Sequence, residues 1–269
     1  MSFIAKLSQA VTDVTIPSTT LDPVVNAGTS WLFDFTNPYC NTNPAGNLAA
    51  GSTFRNLVEG AADAVVVRPA GTTAIENLAA LAGLRWNASS AFTNIDQVDL
   101  GSGYSFAPST PFVIGVWLKQ AADGNTAAYQ PVARRTLTNA NASQWIIDSG
   151  ASGNNHRGNV GNLEGTSSTG PSPSAVQNLL ARDVVHHVAF SYQPGANGVR
   201  LWHNGAEVSP IGPITGPAEL RAEAATHILL ALAGKGSIYR FWSERYALAD
   251  RTAAQAVAQE WSLNTGRFV

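Results

Sequence analysis

The chain is poor in cysteine, in charge and in long apolar runs, and each shortage closes a route. Cys40 is the single cysteine among 269 residues, so no intrachain disulfide forms and no thiolate cluster holds zinc. A small disulfide-stapled framework is excluded. Charged residues make up 13% of the chain, roughly half the usual share of about 25%. Sixteen basic and eighteen acidic side chains leave a formal charge of −2. No basic run is present to neutralise a phosphate backbone, which argues against nucleic acid as a partner. No segment reaches the ~20 apolar residues of a membrane-spanning helix, so no membrane insertion is expected. Residues 1–14 lack the basic start and apolar stretch of a secretory leader. The expected place of synthesis is a cytoplasm.

What remains is an ordinary apolar fraction of 45% in a surface rich in Ala, Gly, Ser, Thr and Asn. All-β sandwiches of roughly 200–250 residues routinely form one domain, and this length suits one. Val184–Tyr192 and Val199–His203 read as two alternating strands joined by a loop at residues 193–198. Asn204-Gly205 then tolerates the positive φ values of a tight hairpin turn. Further strands are expected at Trp31–Phe35, Leu84–Trp86, Gln97–Gly101, Phe112–Lys119, Tyr129–Arg134, Gln144–Asp148, His227–Ala233 and Ser237–Trp242. The near-continuous apolar run of Phe112–Lys119 predicts cover on both of its faces. A short helix opens after Asp250-Arg251-Thr252, with Val257 and Trp261 on its inward stripe.

Residues 1–28 stand apart. Phe3, Ile4, Leu7 and Val11 lie at helical spacing before a polar, Pro-containing stretch. They read as a terminus or edge element of the main domain, or as an arm that docks on a neighbouring subunit. The domain division taken here is an N-terminal arm over 1–28 and a sandwich over 29–269.

Catalytic signatures are scarce. Asp96 and Asp99 are three apart and would face opposite ways on one strand, so they do not form a glycosidase pair. No Glu-x-Asp-x-x-Glu sequence occurs, and no serine sits in a nucleophile motif. The chain reads as a non-enzyme. His186 and His187 are adjacent, so their rings face opposite sides of a strand; a metal site drawing on one of them with His203 and His227 has no support in the pattern. No metal or cofactor is assigned. Trp31, Trp86 and Trp117 belong to the core. Trp202 falls on the opposite strand face, beside Arg200, where either a loop or the arm covers it or the two residues form a contact patch. The candidate ligand or partner contacts are Arg200 and Trp202 with Asn154, Asn155, His156 and Arg157 of the long polar stretch 149–177.

Leu84-Arg85-Trp86, Val98-Asp99-Leu100-Gly101, Phe112–Lys119, Val185-His186-His187-Val188-Ala189 and Val199–Gly205 occur in an order that resembles the laminin-G-like, concanavalin-A-like domains. Ile238–Trp242 followed by Ala247–Asp250 resembles the close of that family. Val185 stands where the family usually has Trp, and Trp202-His203 where it usually has Tyr-Val. The resemblance covers about residues 30–261 and implies an all-β jelly-roll sandwich of two antiparallel sheets. The fold hosts many activities, so function does not follow from it. The resemblance implies calcium as the first ion to test, with Asp99, Asp123 and Asp148 as contributing oxygen donors. Composition and the missing leader together suggest a structural or attachment protein of a bacteriophage virion, on capsid or tail. Other virion proteins or copies of itself, as in a trimer, are its expected partners. A carbohydrate-binding lectin module at a cell surface, contacting host glycan, is the alternative, and a polysaccharide-cleaving enzyme ranks behind it.

Overall fold

A computed structural model describes residues 22–68, 73–87, 96–101, 106–107, 109–122, 130–135, 143–148, 157–160, 180–195, 198–208, 227–233 and 235–268. Residues 1–21 of the expected arm therefore lie outside the described residues. The first strands are β1 (Thr29–Asp34), β2 (Gly46–Asn47), β3 (Thr53–Phe54), β4 (Ala64–Val67), β5 (Glu76–Asn77) and β6 (Leu84–Asn87). Then come β7 (Gln97–Asp99), β8 (Phe112–Gln120), β9 (Gln130–Arg135), β10 (Ser143–Asp148) and β11 (Arg157–Val160). The last are β12 (Val185–Tyr192), β13 (Val199–His203), β14 (Ala206–Val208), β15 (His227–Ala233) and β16 (Lys235–Glu244), followed by helix α1 (Ala253–Asn264).

The strands form two antiparallel sheets, as the alternation and the family resemblance imply. One runs β14-β13-β12-β8-β16-β6-β5-β2, and the other β11-β10-β9-β15-β7-β4-β3. The ten-residue β16 serves two neighbours on the same side. Its first half pairs with β6 and its second half with β1. Asn204 and Gly205 have φ of 48° and 84°, the values a two-residue hairpin turn requires.

Alternation sorts the side chains. Trp31, Phe33, Leu84, Trp86, Phe112, Ile114, Val116, Leu118, Val188, Phe190 and Phe241 point between the sheets. There they meet Phe54, Ala64, Val66, Val98 and Ile147 of the facing sheet, and Cys40 is buried in the same core. The other face of the first sheet is covered in part by α1. Leu32, Val113, Ala189, Trp202 and Trp242 pack there against Ala256 and Val257. Thr252 caps α1 by accepting from Gln255 N, and Gln255 returns a bond to the Thr252 N–H. Phe112–Trp117 is thus covered on two sides, because the sandwich core lies under one face and α1 with the chain after it lies over the other.

A buried ionic cluster clasps this outer layer. A register shift after Ile238 leaves Arg240 opposite Trp117, on the side that faces α1. Arg240 is fully buried and bonds both Glu260 oxygens at 2.8 and 3.1 Å, Asp22 at 2.6 and 2.9 Å, and Asp34 at 3.0 Å. Trp117 Nε1 donates to Glu260 at 2.8 Å, and Arg267 pairs with Asp34 at 2.6 Å. One guanidinium therefore ties residue 22, β1 and α1 to β16. Asn26 reaches Glu244, which also holds Arg251.

Burial works to raise the Asp22 carboxyl, but the hydrogen bond and charge of Arg240 outweigh it and hold the carboxyl below its ordinary range. A depressed carboxylate contributes stability above its unfolded pKa of about 3.9 and loses it on acidification. Asp22→Asn should accordingly be less stable than the parent at pH 7, and the gap should close as pH falls through and below about 4. Denaturant midpoints of the two proteins at pH 7, 5, 4 and 3 check this; a gap independent of pH would contradict it.

Candidate functional site

Among the described residues, α1 and the chain that follows it cover only part of the outer face of the first sheet. On the uncovered part, cross-strand pairing aligns one side chain from each of five strands. Asn47 of β2 lies opposite Glu76 of β5, Glu76 opposite Arg85 of β6, Arg85 opposite Ser237 of β16, and Ser237 opposite Lys119 of β8. With neighbouring strands ~4.8 Å apart, this polar row runs roughly 19 Å across the sheet. Its members alternate in sequence with inward residues: Leu84 and Trp86 flank Arg85, Leu118 precedes Lys119, and Ile238 follows Ser237.

A groove of about 640 Å³ lies over this row. Besides the five row residues it is lined by Thr73, Leu78, Asp183 and Lys235, among others. Arg85 Nε and Nη2 both donate to Glu76 Oε2, at 3.0 and 2.5 Å. Arg85 is exposed and Glu76 half-buried, and both line the groove. Lys119 Nζ sits 6.0 Å from the centre of the Tyr239 ring. Tyr239 in turn stacks on Phe268 at 5.5 Å, and Trp117 lies flat on Trp261 at 5.2 Å, so packed aromatics of the covered part border the open part. The arrangement offers a line of donors and acceptors on a rigid floor.

The residues expected from sequence fall elsewhere. Asn154, Asn155 and His156 lie outside the described residues, and Arg157 opens β11 at an edge of the other sheet. Arg200 and Trp202 share a face of β13 but not an environment. Arg200 is exposed and pairs with Glu207 across the hairpin at 2.9 Å. Trp202 is 4% exposed, covered by α1, and donates its Nε1 hydrogen to Ser191 Oγ at 3.1 Å. The contact-patch reading of Trp202 is corrected: it is buried in a cluster that takes in Ala256 and Val257 of α1, with Val25, Leu57 and Val58 packed against it.

The two adjacent histidines do face opposite ways. His186 Nε2 donates to Ala181 O at 2.9 Å, which leaves Nδ1 to accept from His203 Nε2 at 3.0 Å. Burial holds the His186 pKa below its ordinary value, against the raising effect of the Ala181 bond. His187 Nε2 instead accepts from Trp242 Nε1 at 3.3 Å beneath α1. Of the three acidic residues considered for calcium, Asp123 lies outside the described residues, Asp148 ends β10, and Asp99 accepts from Gly101 N at 2.7 Å. Among the described residues no group of three His, Cys, Asp or Glu side chains is placed to hold a metal ion.

The groove residues were missed by sequence reasoning, although part of the signal was present. Arg85, Lys119 and Ser237 each occupy the outward phase of an otherwise apolar strand. Glu76 and Asn47 belong to two-residue strands with no periodicity to read. Which outward residues stand side by side depends on register between strands more than a hundred residues apart.

Neither a protein-family model nor a curated protein sequence matches the chain. Solved structures do. The receptor-binding domain of botulinum neurotoxin mosaic serotype C/D, with a tetraethylene glycol molecule and a sulfate ion bound, matches with TM-score 0.54 at 14% identity, over 88% of this chain and 51% of that one. A Trypanosoma rangeli sialidase in complex with 2,3-difluoro-KDN matches with TM-score 0.50 at 10% identity, over 93% of this chain and 35% of that one. The ligand-binding domain of botulinum neurotoxin serotype D in complex with N-acetylneuraminic acid matches with TM-score 0.47 at 10% identity, over 85% and 52%. The chain spans about a third of the sialidase chain and about half of the toxin chains. At such identities the likeness establishes the fold, a lectin-like β-sandwich.

These matches correct the expectation of a non-enzymatic bacteriophage virion protein. The structures that share the fold are sialidases, which are enzymes, and receptor-binding domains of toxins. The virion reading came from low charge, a single cysteine, a Ser/Thr/Asn/Gly-rich surface, the expected N-terminal arm and the expectation of no leader. Such features report on solvation and thiol chemistry and carry no information about a particle.

Proposed function

We propose that this protein is a carbohydrate-binding module that takes a saccharide in the groove over β2, β5, β6, β16 and β8. The observation that carries the reading is the row Asn47, Glu76, Arg85, Ser237 and Lys119, five donor or acceptor side chains aligned by strand pairing. Saccharide hydroxyls both donate and accept, so they match a mixed row better than a uniformly apolar or uniformly charged one. The side chains stand on paired strands, which lowers the ordering cost of binding. The lectin-like fold and the laminin-G-like order of strands support the same reading. It assigns binding alone, with no bond cleavage and no cofactor.

A broad glycan array, run with and without calcium, tests it. Binding to at least one saccharide class is expected, and Arg85→Ala should weaken that binding about tenfold or more, since hydrogen bonds to charged groups contribute ~1.5–3 kcal/mol each. No binding across the array in either condition would remove the proposal.

A further inference from the structure

We infer that the saccharide bound here is an extended segment of several units, laid across the strands from β2 to β8, and not a single terminal sugar. The inference rests on the carbohydrate reading and goes beyond it by naming the length of the bound segment and its course over the sheet.

The first observation is how the polar side chains are spaced. Each of five successive strands contributes one: Asn47, Glu76, Arg85, Ser237 and Lys119. Asn47 and Lys119 therefore stand four strand spacings apart, roughly 19 Å. A hydrogen bond joins heavy atoms only ~3 Å apart, so no one pyranose ring meets both ends of the row, even with the reach of Arg85 and Lys119. A terminal sugar is held by groups that converge on one ring. Here the groups recur in line. A saccharide chain presents its hydroxyls in the same manner, repeated from unit to unit along its length. With strands ~4.8 Å apart, filling the row takes about three or four units. The groove volume of about 640 Å³ agrees. It falls within the roughly 300–1,000 Å³ that takes drug-sized ligands, which are larger than one sugar ring.

The second observation is that the row has two ends. Beyond Lys119 the next strand offers Val185, which packs against the cluster of Trp117, Tyr239 and Phe268. Apolar packing replaces polar contact at that point. Asp183 lines the groove nearby and is held in place, its N–H donating to Gln120 O at 2.7 Å and its Oδ1 accepting from Ala122 N at 3.1 Å. At the other end, β2 is the last strand of its sheet among the described residues, so no further member follows Asn47. A bounded row predicts a bounded ligand. Affinity grows with chain length until the row is filled, and then stops growing.

The test titrates the full chain with oligosaccharide ladders of one to six units, built from glucose, N-acetylglucosamine, mannose, galactose and glucuronic acid. At least one ladder should gain about fivefold in affinity per added unit, as one net hydrogen bond contributes. The gain should level off after about four units, where a row of strands ~4.8 Å apart is full. Asn47→Ala removes the last member of the row. Asn47 is exposed, so the substitution takes away a contact and leaves the core intact. The variant should bind the six-unit chain about fivefold more weakly than the parent does, and its gain should level off about one unit sooner. Affinity that is the same from one unit to six would overturn the extended mode and leave the carbohydrate reading intact. A gain that continues undiminished to the sixth unit would overturn the boundaries at β2 and Val185. An Asn47→Ala profile that coincides with the parent's would overturn the placement of the chain along the row. Failure of every ladder to bind would overturn the carbohydrate reading itself.

Discussion

Arg240→Ala is expected to lower the free energy of unfolding by about 3–5 kcal/mol, the range for breaking a buried ionic network by deleting one partner. The reason is what the substitution leaves behind. Glu260 and Asp34 are fully buried and Asp22 nearly so, and each takes a hydrogen bond from Arg240. Burial already pushes the Glu260 carboxyl up, ahead of the pull from Arg240 and from the Trp117 hydrogen bond. The same carboxylates push the Arg240 pKa above its ordinary value despite its burial. Without the guanidinium, Arg267 is the cation that remains against this group among the described residues. Chemical denaturation at pH 7 reads the effect. Adding Glu260→Gln to Arg240→Ala should restore part of the loss, since it removes one stranded charge. A midpoint that does not move would show that α1 is held by its apolar face alone. Loss of the clasp should also loosen Tyr239 and Phe268, which border the groove, so ligand affinity should fall along with stability.

Gly115→Ala should destabilise by about 1–3 kcal/mol, as overpacking does in a filled core. Gly115 lies in the middle of β8, where an added methyl would stand 2.4 Å from Trp242 Nε1 and 2.9 Å from His187 Nε2. Those two atoms are joined by a hydrogen bond under α1, and Trp242 is fully buried. Neither ring has room to retreat, because Trp202, Ala256 and Val257 pack in the same cluster. The cost arises from a close approach and not from backbone conformation, so Gly115→Ser should do no better. A thermal or denaturant midpoint matching the parent would contradict the packing described for this layer.

Much of the sandwich was legible because alternation is a local signal. Val185–Tyr192 and Val199–His203 are strands with the expected phases, Asn204-Gly205 turns between β13 and β14, and α1 begins at the Thr252 cap. The segment 46–77 was illegible. It contributes β2, β3, β4 and β5, of which three have two residues each. Two residues carry no period, so such strands exist only because a longer neighbour offers its edge. The groove was illegible for a related reason. Arg85, Ser237 and Lys119 each announce an outward position, yet nothing local says that they stand in one row with Glu76 and Asn47.

By itself, then, the sequence determined which side chains of each long strand point inward, where the hairpin turns, and that no disulfide holds the fold. Those properties depend on neighbours a few residues away. Only the tertiary structure decided which outward faces are covered and which stay open. Trp202 and Lys119 are both outward residues of alternating strands, but the first is buried in the cluster that includes α1 and the second lines a groove. Where α1 docks depends on its apolar contacts and on Arg240 joining Asp22, Asp34 and Glu260 from the two ends of the described chain, a balance that no local pattern encodes.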